Sequence, residues 1–356
     1  MRHTDIPNSL GFTMPAEWEN HEATWIGWPH NKSDWPGKFT PIPWVYGEIV
    51  RKLSAEEIVR IIVNSKQHEQ SARRVLVRAG VDLSRIEFFR FPSDRGWTRD
   101  FGPMFVSSER EVAINNFHFN GWAKYKNCRK DVRIHKKAAG VLGLHVFNPL
   151  ANGKPFVLEG GAIDVNGKGT LLTTEECLLD QEVQARNPGL SREGTEQALR
   201  NSLGVTNVLW LGKGIAGDDT HGHIDDLARF VNAHTVVLCD EKNPSDQNYG
   251  PLRENRERLE GMKLEGGSRP EVVPLPMPAP LVFDGVRVPA SYANFYIANA
   301  AVLVPTFNDP NDRMALGILS ELITDRPVIG IHSVDLVWGL GTLHCLTQQQ
   351  PAGKAS

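Results

Sequence analysis

Long apolar runs are missing from this chain of 356 residues. No stretch of about 18 consecutive apolar residues occurs, which excludes a membrane-spanning helix and leaves no membrane partner to expect. The opening segment MRHTDIPNSLGFTMPAEWENHE also lacks the apolar core of an export signal, so a cytoplasmic protein is expected. Cysteine is scarce: Cys128, Cys177, Cys239 and Cys345 are far apart and form no C-x-x-C pair. That spacing argues against a zinc ribbon, a thioredoxin-like motif and a disulfide framework. Excess positive charge is absent too. The formal net charge is −3 and lysine and arginine are dispersed, so no nucleic acid is expected as partner, whereas a small cationic ligand is compatible. No break in composition marks a linker, and 40% hydrophobic with 23% charged residues is the balance of an ordinary globular chain. One domain over residues 1–356 is the expectation. Homo-oligomerisation is compatible with it.

What is present is a rhythm. A short apolar strand, a polar helical stretch, a second apolar strand and a glycine-rich loop recur five times, at intervals of about 60 residues. The first strands are VRIIV near 60, AINNFHF near 116, GTLLTT near 172, TVVLCD near 238 and AAVLVP near 303. Periodicity and caps predict helices over 67–79, 131–143 after Asp131, 191–203 after Ser191, 246–261, and 311–323 after Pro310. The second strands are IEFFRF, HVFNP, NVLWL, EVVPL and PVIGI. Five like units whose loops carry the reactive side chains predict an α/β fold closed into a five-bladed propeller, every loop facing one axis.

The loops are SDRGWTRDFGP, GKPFVLEGGA, GKGIAGDDTHGHIDD, FDGVRVPASYANF and LVWGLGTLHC. The third packs Asp218, Asp219, His221, His223, Asp225 and Asp226 into nine positions. Read as H-x-H-x-D it resembles a dinuclear metal site, short of its last histidine. Read otherwise, His223 is a general acid/base and Asp225 accepts hydrogen bonds from a cation, the two pointing one way in an extended segment. A solvated acidic turn is the bland alternative. In the first loop Asp100 and Arg99 could pair at the surface. Alternatively, Asp100 sits desolvated and accepts a guanidinium, with Trp97 offering an aromatic face. Glu159 ahead of two glycines is either a surface or capping residue or a carboxylate turned into a cavity. Trp122 in FNGW reads first as a buried strand-end aromatic and second as a wall of the site.

Most lone cysteines are inert core residues. Cys345 differs in its loop: Gly339 and Gly341 permit a bent approach, and alternation over 342–346 predicts a strand end with Leu343 and Cys345 on one side. A cavity closing over the five loops would then set the sulfur against Asp100, Glu159, His223 and Asp225.

The segments MPAEWENHEATWIGWP, WTRDFGPMF, LEGGAIDVNGKGTLLTTEECLL, RNP, DDTHGHIDDLARF, SYANFYIAN and LHCLTQQQP, running from about residue 14 to 351, resemble the agmatine deiminase and bacterial peptidylarginine deiminase family of guanidino-group-modifying enzymes. The resemblance implies a five-bladed ββαβ propeller and hydrolysis of a guanidino compound, agmatine in the first instance, without metal or organic cofactor. Cys345 corresponds to its nucleophile, His223 to its acid/base, Asp100 and Asp225 to its guanidinium-binding carboxylates, and Glu159 to the residue supporting them. Trp97, Trp122, Asp219 and Gly341 are expected to line the substrate. A peptidylarginine or other guanidino substrate, a metal-dependent hydrolase on His221, His223 and Asp225, and a non-catalytic amine binder are the alternatives. Two departures stand out: Gly339, Leu340, Gly341 replaces a run of three glycines, and FNGWAKY replaces FNAWGG. Asp218 and Asp219 are expected to receive the second cation of agmatine, and to repel a carboxylate there.

Overall fold

The computed structural model describes residues 6–353. The expected single domain also takes in 1–5 and 354–356, which lie outside the described residues.

Five sheets of three or four strands carry the architecture. Each contains a parallel pair joined by a helix: Ile58–Ile62 with Ile86–Phe89 through helix Lys66–Arg78, Val112–Asn115 with His145–Phe147 through Ile134–Leu142, and Thr170–Thr174 with Asn207–Leu211 through Arg192–Leu203. Thr235–Asp240 with Glu271–Pro276 through Tyr249–Gly261, and Val302–Thr306 with Val328–His332 through Pro310–Leu322, complete the set. The central strands are apolar without alternation because both of their faces are covered; all of Thr170–Thr174 is buried.

In four sheets an antiparallel strand precedes this unit: Met104–Ser107, Asp164–Val165, Ala228–Phe230 and Tyr296–Ile297. In the first sheet that place is taken by His21–Gly27, which runs parallel to Ile58–Ile62 because helix Ile42–Leu53 provides a crossover. On its other edge Thr347–Pro351 pairs antiparallel, so strands from the two ends of the chain share one sheet. These extra strands and the helix Ile42–Leu53 are additions to the repeating pattern read from the sequence.

The helices follow the predicted spans closely, and their starts are chemical. Ser65 accepts from the His68 N–H and Ser191 from that of Gly194, while Asp309 and Asp312 form a reciprocal capping box ahead of Pro310–Leu322. Asp131 departs from this role. It sits in a 3₁₀ turn, Asp131–Arg133, and its carboxylate accepts the Asp94 N–H (2.6 Å), tying the turn to the first loop.

Two local expectations fail. Leu343–Leu346 is a turn of helix rather than a strand end, and Ile224–Asp226 is a 3₁₀ turn rather than an extended segment. Both lie where loops from different units meet, and contacts between units override local alternation. Among the described residues no helix is long and apolar enough to cross a membrane.

Candidate functional site

The loops that follow the second strands of the first, third and fifth units line one cavity of about 270 Å³ together with residues 33–34, 122 and 125; the buried Cys345 and Asp100 mark its inner end, and the more exposed Asp219 and Arg95, the latter paired to Asp34, its outer end. In the first loop a single helical turn, Thr98–Phe101, sends Asp100 and Arg99 in different directions. They do not pair. Arg99, 2% exposed, donates to Gln349 Oε1 (2.7 Å) and the His344 carbonyl (3.2 Å) and meets Glu17 (3.2 Å). Asp100 accepts the Gly161 N–H on Oδ1 (3.1 Å) and the Trp122 indole N–H on Oδ2 (2.8 Å). Burial, helped by Asp225 and Glu159 and opposed by His223, pushes its carboxyl up to about 6.

Glu159 is fully buried and ion-paired to Arg186 (3.0 Å). Burial alone would raise its pKa. Arg186 and His223 outweigh that and hold the carboxyl at about 2, so the capping and surface readings are both set aside. The two glycines after it serve close approach rather than an unusual turn. A Cβ on Gly160 would lie 2.4 Å from the Arg99 carbonyl oxygen, and one on Gly161 would lie 2.5 Å from His223 Nδ1.

His223 stands among carboxylates: Nδ1 is 3.8 Å from Asp100 and 3.9 Å from Asp225, and Nε2 is 3.9 Å from Glu159. Burial works against its charge, yet Asp100, Cys177 and Glu159 raise its pKa well above the usual imidazole range. The 3₁₀ turn that follows aims Asp225 at the same space. His221, in contrast, has φ 66° and turns to Asp180 (2.8 Å), so the H-x-H-x-D residues do not converge as a metal site would require. Glu159, Cys177 and His223 do present atoms within 4.8 Å of one another, but Arg186 already neutralises that glutamate. Asp218 organises the turn: its carboxylate accepts from the N–H groups of Thr220, Gly222 and His223 at 2.7, 2.7 and 3.0 Å, and it is not among the residues that line the cavity, as Asp219 is.

Cys345 is 7% exposed and lines the cavity. Its sulfur accepts from Asn294 Nδ2 (3.1 Å) and lies 3.6 Å from Asp225 Oδ2. Burial and the charges of Asp225, Asp226 and Asp100 raise its thiol pKa well above the ordinary value, against the Asn294 hydrogen bond. Gly341 permits the approach: a Cβ there would stand 3.0 Å from Trp97 Cζ3 and 3.1 Å from the sulfur. Leu340, beside it, adopts φ 68°, a region glycine would fill without strain. Trp97, Trp122 and Asp219 all line the cavity, Trp97 packed against Trp35 with ring centroids 5.2 Å apart.

Several functional neighbours were not singled out from the sequence. His344 spans two carboxylates, Nδ1 to Asp225 (2.7 Å) and Nε2 to Glu17 (2.8 Å). Burial raises the pKa of both, but Arg229, His344 and Arg99 around Glu17, and His344, His223 and Arg229 around Asp225, bring each below the usual range. Asn294 accepts from Thr342 Oγ1 (2.8 Å) and from the N–H groups of His344 (3.1 Å) and Cys345 (3.4 Å), fixing the turn that bears the thiol. Asn294 and Arg186 lie in the segments SYANFYIAN and RNP that carried the family resemblance, but nothing local in either segment marked the residue as part of the site.

Fold and site together define a class: an α/β protein whose repeated units bring a buried thiol, a histidine and three carboxylates into one cluster, with the thiol and Asp100 lining a cavity. Comparison with known proteins refines this. The chain belongs to the Porphyromonas-type peptidyl-arginine deiminase family, whose model matches residues 13–351. It is 33% identical to an agmatine deiminase of Ectopseudomonas mendocina, over 98% of each chain. Among solved structures it is similar to the agmatine deiminase of Enterococcus faecalis (31% identity, TM-score 0.91, covering 99% of this chain and 98% of that one). A C. jejuni agmatine deiminase with substrate bound is similar as well (29% identity, TM-score 0.85, covering 96% and 97%).

Proposed function

We propose that this protein hydrolyses the guanidino group of agmatine, releasing ammonia and N-carbamoylputrescine. One observation carries the reading: Cys345 and Asp100 line one cavity, Asp225 stands 3.6 Å from the sulfur and His223 Nδ1 3.8 Å from Asp100, so a thiol, an imidazole and two carboxylates form one cluster at that cavity. The relatives' agmatine deiminase activity supports the same choice.

The guanidinium lies between Asp100 and Asp225, whose oxygens accept its N–H groups in pairs. Its charge supplies what the thiol lacks, since a cation beside Cys345 offsets the three carboxylates that disfavour thiolate. The thiol proton passes to water as the guanidinium binds, the thiolate attacks the guanidinium carbon, and His223, charged by its surroundings, gives a proton to the departing ammonia. A thiouronium remains on Cys345. The now neutral His223 takes a proton from water, which attacks the same carbon; collapse frees the thiol and the carbamoyl product. Glu159, locked by Arg186, keeps the far side of the imidazole ring facing negative charge. Positioning and desolvation of this kind can supply several kcal/mol of the barrier reduction.

The five helix-linked sheets, each built around a parallel pair of strands, support a closed five-bladed ββαβ propeller formed by one domain over 1–356. The test is ammonia release from agmatine, free arginine and a peptide ending in arginine, ranked by kcat/KM. Agmatine should lead by at least about tenfold, and enzyme quenched in turnover should carry agmatine less ammonia on the Cys345 peptide. A lead by arginine or the peptide overturns the substrate; an unmodified Cys345 overturns the mechanism.

A further inference from the structure

The outer end of the cavity holds two carboxylates, and each has a cation, but the two pairs differ in kind. Asp34 accepts Arg95 Nη1 (2.7 Å), with side chains 1% and 13% exposed, and the Arg95 guanidinium stacks on the Tyr125 ring at 4.2 Å. Breaking such a pair strands a buried charge. Asp219 meets Lys124 Nζ at 2.5 Å, with side chains 22% and 41% exposed. An exposed pair of flexible side chains holds weakly and exchanges readily. The same ammonium lies 5.6 Å from the Tyr125 ring, whose hydroxyl donates to the other Asp219 oxygen (2.7 Å).

Lys124 reaches this place because Gly121, Trp122 and Ala123 adopt φ 69°, 57° and 53° in succession. Two residues other than glycine in the left-handed region are a strained arrangement, kept only where the surroundings demand it. Here the turn also places the Trp122 indole on Asp100 (2.8 Å), so one segment touches both ends of the cavity.

A lysine head is a primary ammonium on a polymethylene stem, which is also the chemistry of an aminoalkyl tail. We propose that Asp219 and the Tyr125 ring form the receptor for the substrate's terminal ammonium, and that Lys124 occupies this receptor in the empty enzyme as an internal competitor which the substrate displaces. The inference rests on the reading that the guanidinium end sits at Cys345. It moves tail recognition from the Asp218–Asp219 pair to Asp219 alone, with a built-in cation setting the affinity.

Agmatine and butylguanidine, which has the same length but no ammonium, separate the tail from the reacting group. The quantity to measure is the ratio of their kcat/KM values in the wild type, Lys124→Met, Asp219→Asn and Tyr125→Phe. Removing the competitor should raise the ratio about three- to tenfold through a lower KM for agmatine, while Asp219→Asn should lower it by about tenfold or more. Tyr125→Phe keeps the ring and should lower it by about threefold or less. A ratio that stays within twofold in both Lys124→Met and Asp219→Asn, or that falls in Lys124→Met, overturns the proposal, because a merely structural pair would move both substrates together. Thermal melts of each variant identify a folding loss, and Tyr125→Phe, which leaves the ion pair in place, then decides by the same ratio. Should the wild type release ammonia from neither compound, the proposed function itself fails, a result distinct from turnover with an unmoved ratio.

Discussion

The carboxylates around the thiol and Asp219 at the outer end of the cavity are held in opposite ways. At the inner end Asp100, Glu159 and Asp225 are at most 3% exposed and are braced by groups that are buried themselves: Arg186 on Glu159, His344 on Asp225, and the Trp122 and Gly161 N–H groups on Asp100. At the outer end Asp219 is reached by solvent and its partner, Lys124, is 41% exposed. Chemistry needs charges fixed to fractions of an ångström, and a buried ion pair is costly to break. Selection of a tail needs partners that can leave, and exposed pairs supply them at little cost.

The sharpest break in this contrast is at the thiol. Cys345→Ala should lower kcat by about 10³-fold or more with little change in melting temperature, as expected when a covalent route is removed. Replacing Cys239 or Cys128 by Ala should leave the chemistry in place. Cys177 is the informative intermediate case, because its sulfur lies against His223.

Next in size comes the brace behind the site. His344→Leu takes the 2.7 Å partner from the buried Asp225, while Glu17 keeps Arg99 and Arg229, so stability should fall by about 3 kcal/mol in denaturant titrations. The kcat should drop more than KM rises, since His344 positions Asp225 without touching substrate. Equal effects on both constants would place His344 in substrate binding instead.

A comparison with the core outside the cavity is provided by His135, buried in helix Ile134–Leu142 with no hydrogen-bond partner on either ring nitrogen among the described residues. Burial lowers its pKa to about 4 from the ordinary 6.5. The unfolded chain therefore binds more protons between those values, and the contribution of His135 to stability is lost as pH falls from about 6.5 to about 4. His135→Leu should remove that slope, a difference of at most about 3 kcal/mol between the ends of the window. Melting curves of both proteins at several pH values measure it. Parallel curves would mean that the ring is solvated.

The smallest expected effect sharpens the inner end. Trp122→Phe removes the N–H that stabilises the Asp100 carboxylate, so the carboxyl, already near 6, moves higher. Because Asp100 must be ionised to hold the guanidinium, the acid limb of kcat/KM should shift to higher pH, with a loss of about tenfold near pH 6 and less near pH 8. An unshifted limb would assign that limb to another group.

Much of this was legible in the sequence, and for definite reasons. Apolar strands such as TVVLCD and AAVLVP read correctly because strands covered on both faces need no polar alternation, and Ser191 announced its helix through the chemistry of its side chain. Asp100, Glu159, His223, Asp225 and Cys345 stood out because each sits in a short loop beside glycine, at the corresponding point of a repeated unit. Local reasoning failed where distant residues took over. The segment 342–346 alternates like a strand, yet Asn294, about 50 residues earlier, accepts two of its N–H groups and winds it into a helical turn. Asp218 looked like a ligand, and its carboxylate is the acceptor that shapes its own turn.

The sequence by itself determined the repeated strand–helix–strand units and which loops would carry reactive groups, because hydrophobic period, caps and glycine act over a few residues. Only the tertiary structure decided which charges are paired and which are left for substrate. His344 lies far along the chain from Glu17, Glu159 is neutralised from the irregular segment at Arg186, and Lys124 covers Asp219 from another loop. The energy of a charge depends on its distance to its partners and on its burial, and neither quantity exists until the chain has folded.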